Sequence, residues 1–165
     1  SLGYLKDYAL DLRNYAARSQ RNLEWYLGIW ECFCTHSFRR PRIFHTIFFA
    51  KNSHSLNSDI ETYYSIFPEE LGEDNEDILR SMLLGNTIFE RNMTLLERLV
   101  SDNIVARKHV DTVNEMTCLI YQGLLSRVIS GEETLPADQL TQKMYGFVLR
   151  TLMACENDLI HPYFL

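Results

Sequence analysis

Along the chain, apolar residues recur at spacings of three and four, and strand-like alternation of useful length is absent. The pattern predicts an all-α fold. The clearest stretch is Leu23 to Phe38, LEWYLGIWECFCTHSF. On a helix, Leu23, Tyr26, Leu27, Trp30, Phe33, Cys34 and Phe38 share one broad face, and Trp25, Ile29 and Cys32 take the opposite one. A helix apolar on two sides is surrounded by protein. Glu24, Gly28, Glu31 and Thr35 interrupt it as one narrow polar seam. The seam either reaches solvent or lines an internal cavity, and the choice separates a plain bundle from one built to hold a small molecule.

The remaining elements follow from the same periodicity. Leu5, Tyr8, Leu12, Tyr15 and Ala16 predict a first amphipathic helix to about Arg18, with a break or bend over Ser19 to Asn22. The buried helix spans about 22–38. Pro41 ends it by disfavouring helix at Arg40, and it suits the first turn of the next helix, which carries Ile43, Phe44, Ile47 and Phe48. Asn52 to Ser58 reads as a loop, and Asp59 as the cap of a short helix through Tyr63, Tyr64 and Phe67. A long helix is predicted over 76–101, with Ile78, Met82, Gly85, Phe89, Asn92, Leu96 and Leu99 in one stripe. The acids of Pro68 to Asp77 before it suit a helix N-terminus, and they have no EF-hand order. Asp102-Asn103 is a break. Helices over 108–130, closed by Gly131 as the residue after the cap, and over 136–157, opened by Pro136, complete a bundle of six to seven helices.

The last two helices each carry two apolar stripes. In the final one, Leu140, Met144, Val148, Leu152, Cys155 and Leu159 form one stripe, and Tyr145, Leu149 and Met153 the other. Its predecessor has Val113, Met116, Ile120, Leu124 and Val128 in one stripe, and Cys118, Tyr121, Leu125 and Ile129 in the other. Each helix has a mid-length glycine, which costs about 1 kcal/mol relative to alanine and is usually compensated by close helix approach. This predicts a homodimer four-helix bundle through Tyr121, Gly123, Leu124, Val128, Tyr145, Gly146, Leu149 and Met153. The alternative wraps both stripes within one chain.

Composition narrows the class. The chain has 165 residues, 46% of them apolar, enough for one domain, 1–165, with a real core. A net charge of −6 argues against a nucleic-acid-binding surface on the chain itself. Cys32, Cys34, Cys118 and Cys155 sit in apolar helical patterns, as buried hydrophobes of a reducing, cytoplasmic protein. No apolar run is long enough to span a membrane, and no signal peptide is visible. The chain opens on Ser1, in helical periodicity, as a domain cut from a longer protein or a processed chain would.

A search for catalytic and metal-binding patterns finds little. There is no Glu-x-x-His, His-x-x-x-His, Cys-x-x-Cys, Gly-x-Ser-x-Gly, P-loop or Gly-x-Gly-x-x-Gly. Cys32 and Cys34 point to opposite sides of a helix. Asp158 and His161 read as a helix-end contact, His36, His45 and His54 as separate residues, and His109 as a surface residue. No catalytic residue, metal or cofactor is expected. What remains is an aromatic supply concentrated before residue 70. It suggests a cavity walled by Trp30, Phe44, Phe48, Tyr64, Phe89 and Tyr121, with Glu31, and less surely Glu24, turned into it. Such a wall suits a hydrophobic or aromatic ligand, and a carboxylate in it would favour a cation.

The order of helices, the stretch LLERLVSDNIVARKHVDTVNEMTCLIYQGLLSRVISG from Leu95 to Gly131, and the Arg40 to Phe44 helix start resemble the C-terminal regulatory domain of TetR/AcrR-family transcriptional repressors. Within that stretch, Ile104, Asp111 and Gly123-Leu124-Leu125 carry the likeness. The resemblance covers essentially the whole chain and implies an effector-sensing, dimerising domain without catalysis. It implies that residues 2–20 form the helix connecting to an N-terminal helix-turn-helix unit that is missing here. DNA would be contacted only through that unit, and an effector in the core would shift the connecting helix. The rival readings are a helical protein-interaction module without a cavity and a helical enzyme with an unrecognised cofactor.

Overall fold

The computed structural model describes residues 2–18, 21–49 and 87–156. Six α-helices run through them in order: α1 (Leu2–Arg18), α2 (Asn22–Arg39), α3 (Pro41–Phe49), α4 (Ile88–Ser101), α5 (Val110–Ser130) and α6 (Ala137–Glu156). A single 3-10 turn, Arg107–His109, precedes α5. No strand occurs among the described residues, so the chain is all-α there. None of these helices is long and apolar enough to cross a membrane. The helix expected over Asp59 to Phe67, with Tyr64, lies outside the described residues, as do the acidic run and the Asp158–His161 pair.

Local chemistry sets the helix ends. Pro41 takes the first position of α3, where its missing N–H leaves no bond unmade. Gly131 closes α5 in the left-handed region at φ 81°, the conformation that favours glycine there. Asn103 holds φ 58° after α4, a value asparagine tolerates better than most residues. The chain there folds back, with the N–H groups of Ile104 and Val105 donating to Leu99 O at 2.9 and 3.3 Å. Asn22, at the start of α2, donates its side-chain amide to Asp102, at the end of α4.

One boundary differs from expectation. The helix predicted over 76–101 starts at Ile88 instead. Thr87 is extended, at φ −138° and ψ 161°, and its Oγ1 accepts the Glu90 N–H at 3.1 Å. Thr87-Ile88-Phe89-Glu90 carries the Thr-x-x-Glu signature of a helix start. The apolar stripe runs on through it, from Gly85 to Phe89, and that periodicity masked the cap.

α2 is the hub. It packs on α1, α3, α4 and, most extensively, α6. Trp25, Tyr26, Leu27, Ile29, Trp30, Cys32, Phe33, Cys34, Ser37 and Phe38 are all buried, in agreement with a helix apolar on two sides. Each large apolar side chain there contributes about 1.5–3 kcal/mol. Of the seam, Glu24 is exposed and Gly28, Glu31 and Thr35 are half-buried. Glu31 accepts from Gln142 Nε2 of α6 at 3.4 Å. The seam therefore runs along the α6 border.

The two stripes of α6 divide cleanly. Leu140, Met144, Val148 and Leu152 are buried, whereas Tyr145 and Leu149 are half-buried and Met153 is 60% exposed. On α5 the division differs from expectation. Tyr121 and Leu124 are buried within their own chain, and Val128 is half-buried. Met116, Leu119 and Gly123 are among the exposed residues of α5, beside Thr112, Glu115, Gln122 and Arg127. A Cβ added at Gly123 or at Gly146 would meet nothing within 4 Å.

Candidate functional site

Tyr26 and Trp30 lie one turn apart on α2 and point at α4, where Asn92 interrupts the apolar stripe. Tyr26 Oη and Trp30 Nε1 both donate to Asn92 Oδ1, at 2.8 and 3.2 Å. Asn92 Nδ2 in turn donates to Asn114 Oδ1 at 2.8 Å and Thr117 Oγ1 at 3.0 Å, both on α5. Asn114 Nδ2 donates to Phe89 O at 3.0 Å, and Thr117 Oγ1 to Val113 O at 2.7 Å. The Asn92 amide thus uses both donor hydrogens and both acceptor positions. Burial pushes the Tyr26 phenol well above its ordinary pKa, against the hydrogen bonds that oppose it. It is a neutral donor. A network satisfied to this degree ties α2, α4 and α5 in one register.

Beside this network lies a cavity of about 30 Å³. Its wall is built from Tyr8 of α1, Ile29, Trp30 and Phe33 of α2, Phe48 of α3, and Ile88, Arg91, Asn92 and Leu95 of α4. All of these residues are buried. The rings behind and within the wall form a continuous aromatic cluster. Phe33 meets Phe48 at 5.1 Å and Tyr121 at 4.9 Å, and Tyr8 meets Phe44 at 5.6 Å between ring centroids.

Arg91 is the one charged group among the described lining residues. Its guanidinium lies over the Phe48 ring, 4.3 Å from the centroid, a contact worth about 0.5–2 kcal/mol. Burial pushes its pKa down to about 10, opposed by Tyr8 and Glu90. It is cationic at neutral pH.

Trp30 and Phe48 stand where the sequence placed them, in the cavity wall. Phe44 and Tyr121 lie behind it, in ring contact with Phe48 and with Trp30 respectively. Phe89 is half-buried and contributes its carbonyl to the network. Glu31, expected in the wall, does not line the cavity, and Glu24 is exposed. The seam's narrowness comes from its place beside α6. Tyr8, Phe33, Arg91 and Asn92 were missed. The signal for the last two was present: Arg91 sits between Ile88 and Leu95 in an apolar stripe, and Asn92 before Leu96 and Leu99 in another.

A second cluster lies on the other side of Tyr8. His36 Nε2 is 2.7 Å from Asp11 Oδ2, and Cys32 is one turn before His36. The ligand-capable atoms of Asp11, Cys32 and His36 all lie within 4.8 Å of one another. Burial, then the carboxylates of Asp11 and Glu31, push the Cys32 thiol well above its ordinary pKa. On its own it is a neutral thiol. Cys118 donates weakly to Asn114 Oδ1 at 3.5 Å and belongs to the polar network.

No family model, curated protein or solved structure matches the chain. The likeness to TetR-type regulatory domains rests on the helix order and on the residues quoted for it.

Proposed function

We propose that this chain is the effector-sensing and dimerising domain of a TetR-like transcription regulator. The observation that carries the reading is the cavity, and in particular that α1 contributes Tyr8 to its wall. In this reading α1 is the helix that leads to a DNA-reading unit. A ligand that enlarges the cavity presses on α1 directly. At about 30 Å³ the cavity holds one or two waters, whereas small-molecule sites run to about 300–1,000 Å³. The described arrangement is then the contracted state. A ligand shifts the equilibrium by binding the expanded state more tightly, and α1 moves with it.

The wall chemistry names the ligand class. Aromatic faces and Ile, Leu and Ile side chains select a flat apolar body. The Arg91 guanidinium, stacked on Phe48, borders that body. Glu31, the source of the expected cation preference, is not in the wall. The outward face of α5 and α6, with Leu119, Met153 and two uncrowded glycines, serves self-association.

The test is thermal unfolding of the chain against indole, with salicylate and benzylamine as charged counterparts. Indole raises the melting temperature in a saturable way, and Phe48→Ala weakens the effect. Absence of a saturable shift with indole rejects the reading.

A further inference from the structure

We propose that Asp11, Cys32 and His36 form a Zn²⁺ site that fastens α1 to α2. The site is separate from the aromatic cavity and stands whether or not the cavity takes an effector. Cys32 and His36 are four apart on α2, so both side chains leave the same face one turn from each other. Asp11 reaches them from α1, and its carboxylate already touches His36 Nε2 at 2.7 Å. The three donor atoms lie within 4.8 Å of one another. Tetrahedral Zn²⁺ holds S at about 2.3 Å and N or O at about 2.0–2.2 Å. Those bonds place ligand atoms about 3.3–3.6 Å apart. The Asp11–His36 contact opens by about 0.6–0.9 Å, and the sulfur closes by at most about 1.3 Å, to reach that geometry.

The surroundings suit an ion. Cys32 is fully buried, the His36 side chain is 17% exposed and that of Asp11 44%. The ligands therefore grade from interior sulfur to solvent-facing oxygen, which gives the ion an entry path. The Tyr8 ring meets the His36 imidazole edge-on at 5.5 Å and limits its rotation. One sulfur, one nitrogen and one oxygen are the donor mixture of a borderline-soft divalent ion, and three protein ligands leave a fourth position for water. On binding, the Cys32 thiol gives its proton to solvent. His36 binds as the tautomer with its proton on Nδ1, and Asp11 exchanges its hydrogen bond with His36 for a bond to the ion. The net result is a cross-link between two helices in place of one hydrogen bond.

The experiment is a Co²⁺ titration of the reduced full chain, followed by displacement with Zn²⁺. The expected result is a thiolate-to-cobalt charge-transfer band in the near ultraviolet that saturates at one ion per chain and is abolished by Zn²⁺. Zn²⁺ raises the melting temperature and a chelator reverses the rise. Cys32→Ala removes the band. Because Cys32 is buried, its replacement is paired with Asp11→Asn and His36→Gln, which sit toward solvent. Each of these weakens Zn²⁺ binding at least tenfold while far-ultraviolet circular dichroism stays unchanged. Absence of the band at one equivalent overturns the proposal. So does a band that survives in Cys32→Ala, or Zn²⁺ affinity unaltered in both Asp11→Asn and His36→Gln.

Discussion

Turned inward, α5 presents Asn114, Thr117, Cys118, Tyr121 and Leu125, all buried. Turned outward, the same helix presents Met116 and Leu119, 40% and 52% exposed, with Gly123 on the same side. α6 repeats the contrast, with Leu140, Met144 and Val148 inside and Gly146 and Met153 on the other face. The inward faces leave little room, and the Asn92 amide has each of its bonds. On the outward faces, the two glycines have nothing within 4 Å of a side-chain position. A mid-helix glycine costs about 1 kcal/mol, and among the described residues nothing packs on either position to recover it. The difference teaches where the fold ends and where a second copy is proposed to begin, with one patch serving both subunits of a symmetric pair.

The comparison breaks most severely from the inside. Asn92→Ala removes the shared partner of Tyr26, Trp30, Asn114 and Thr117. Each buried group left unpaired costs about 1–3 kcal/mol, partly relieved by rearrangement. The expected loss is about 3–5 kcal/mol, read by urea unfolding. A loss under 1 kcal/mol shows that the network is not what holds these helices in register.

Next in size is Leu119→Glu, on the outer face. A carboxylate buried at the centre of an interface weakens association by about 2–4 kcal/mol. Helix content and the unfolding of the separated chain stay as they were. Sedimentation equilibrium at micromolar concentration reads the change as a shift toward the 19.4 kDa chain mass. A parent chain already monomeric at high micromolar concentration removes the dimer altogether.

Gly146→Leu and Gly123→Ala sharpen the comparison. Within the chain a Cβ at either position meets nothing within 4 Å, and each replacement gains helix propensity of about 0.5–1 kcal/mol. Against a partner, leucine at Gly146 overpacks the seam. The expected outcome is opposite signs, with a more stable monomer and a weaker dimer. If both quantities rise together, no close helix approach occurs at these glycines.

The smallest effect is at the surface. Arg107 Nη1 and Nη2 donate to the two Glu97 oxygens, each at 2.7 Å. Arg107 holds the Glu97 carboxyl below its usual pKa. The folded pKa is depressed, so the pair's stability is present above the unfolded value of about 4.3 and fades as pH falls through the lower folded value. Arg107→Ala should cost a little stability at neutral pH and almost none once acid has protonated Glu97, which slightly flattens the acid limb of a stability–pH curve. A loss in acid as large as the loss at neutral pH contradicts this.

What the sequence disclosed follows from how local each feature is. Helix type, the Pro41 start, the Asn103 break and the Gly131 end depend on neighbouring residues, and each was legible. α2 was legible as a buried helix because its two apolar faces need no partner's identity. The start of α4 was local too, yet the period running through Thr87 outweighed the Thr-x-x-Glu signature. The cavity was only half legible. Trp30 and Phe48 announced themselves by type, but Tyr8 and Arg91 join them only through tertiary packing. Glu31 was misplaced because periodicity identifies a seam and not the helix that covers it. Cys32 and His36 share one turn in plain view. Asp11, from another helix, is what turns the pair into a cluster.

The most direct test of the proposed sensing cavity is the indole N–H resonance of Trp30 during titration with indole, assigned by comparison with Trp25→Phe. Trp30 lines the cavity, and Trp25, with Arg98 stacked 4.3 Å above its ring, does not. A saturable shift at Trp30, little change at Trp25 and loss of the response in Phe48→Ala are expected. A Trp30 resonance that stays still at millimolar indole would contradict the proposal.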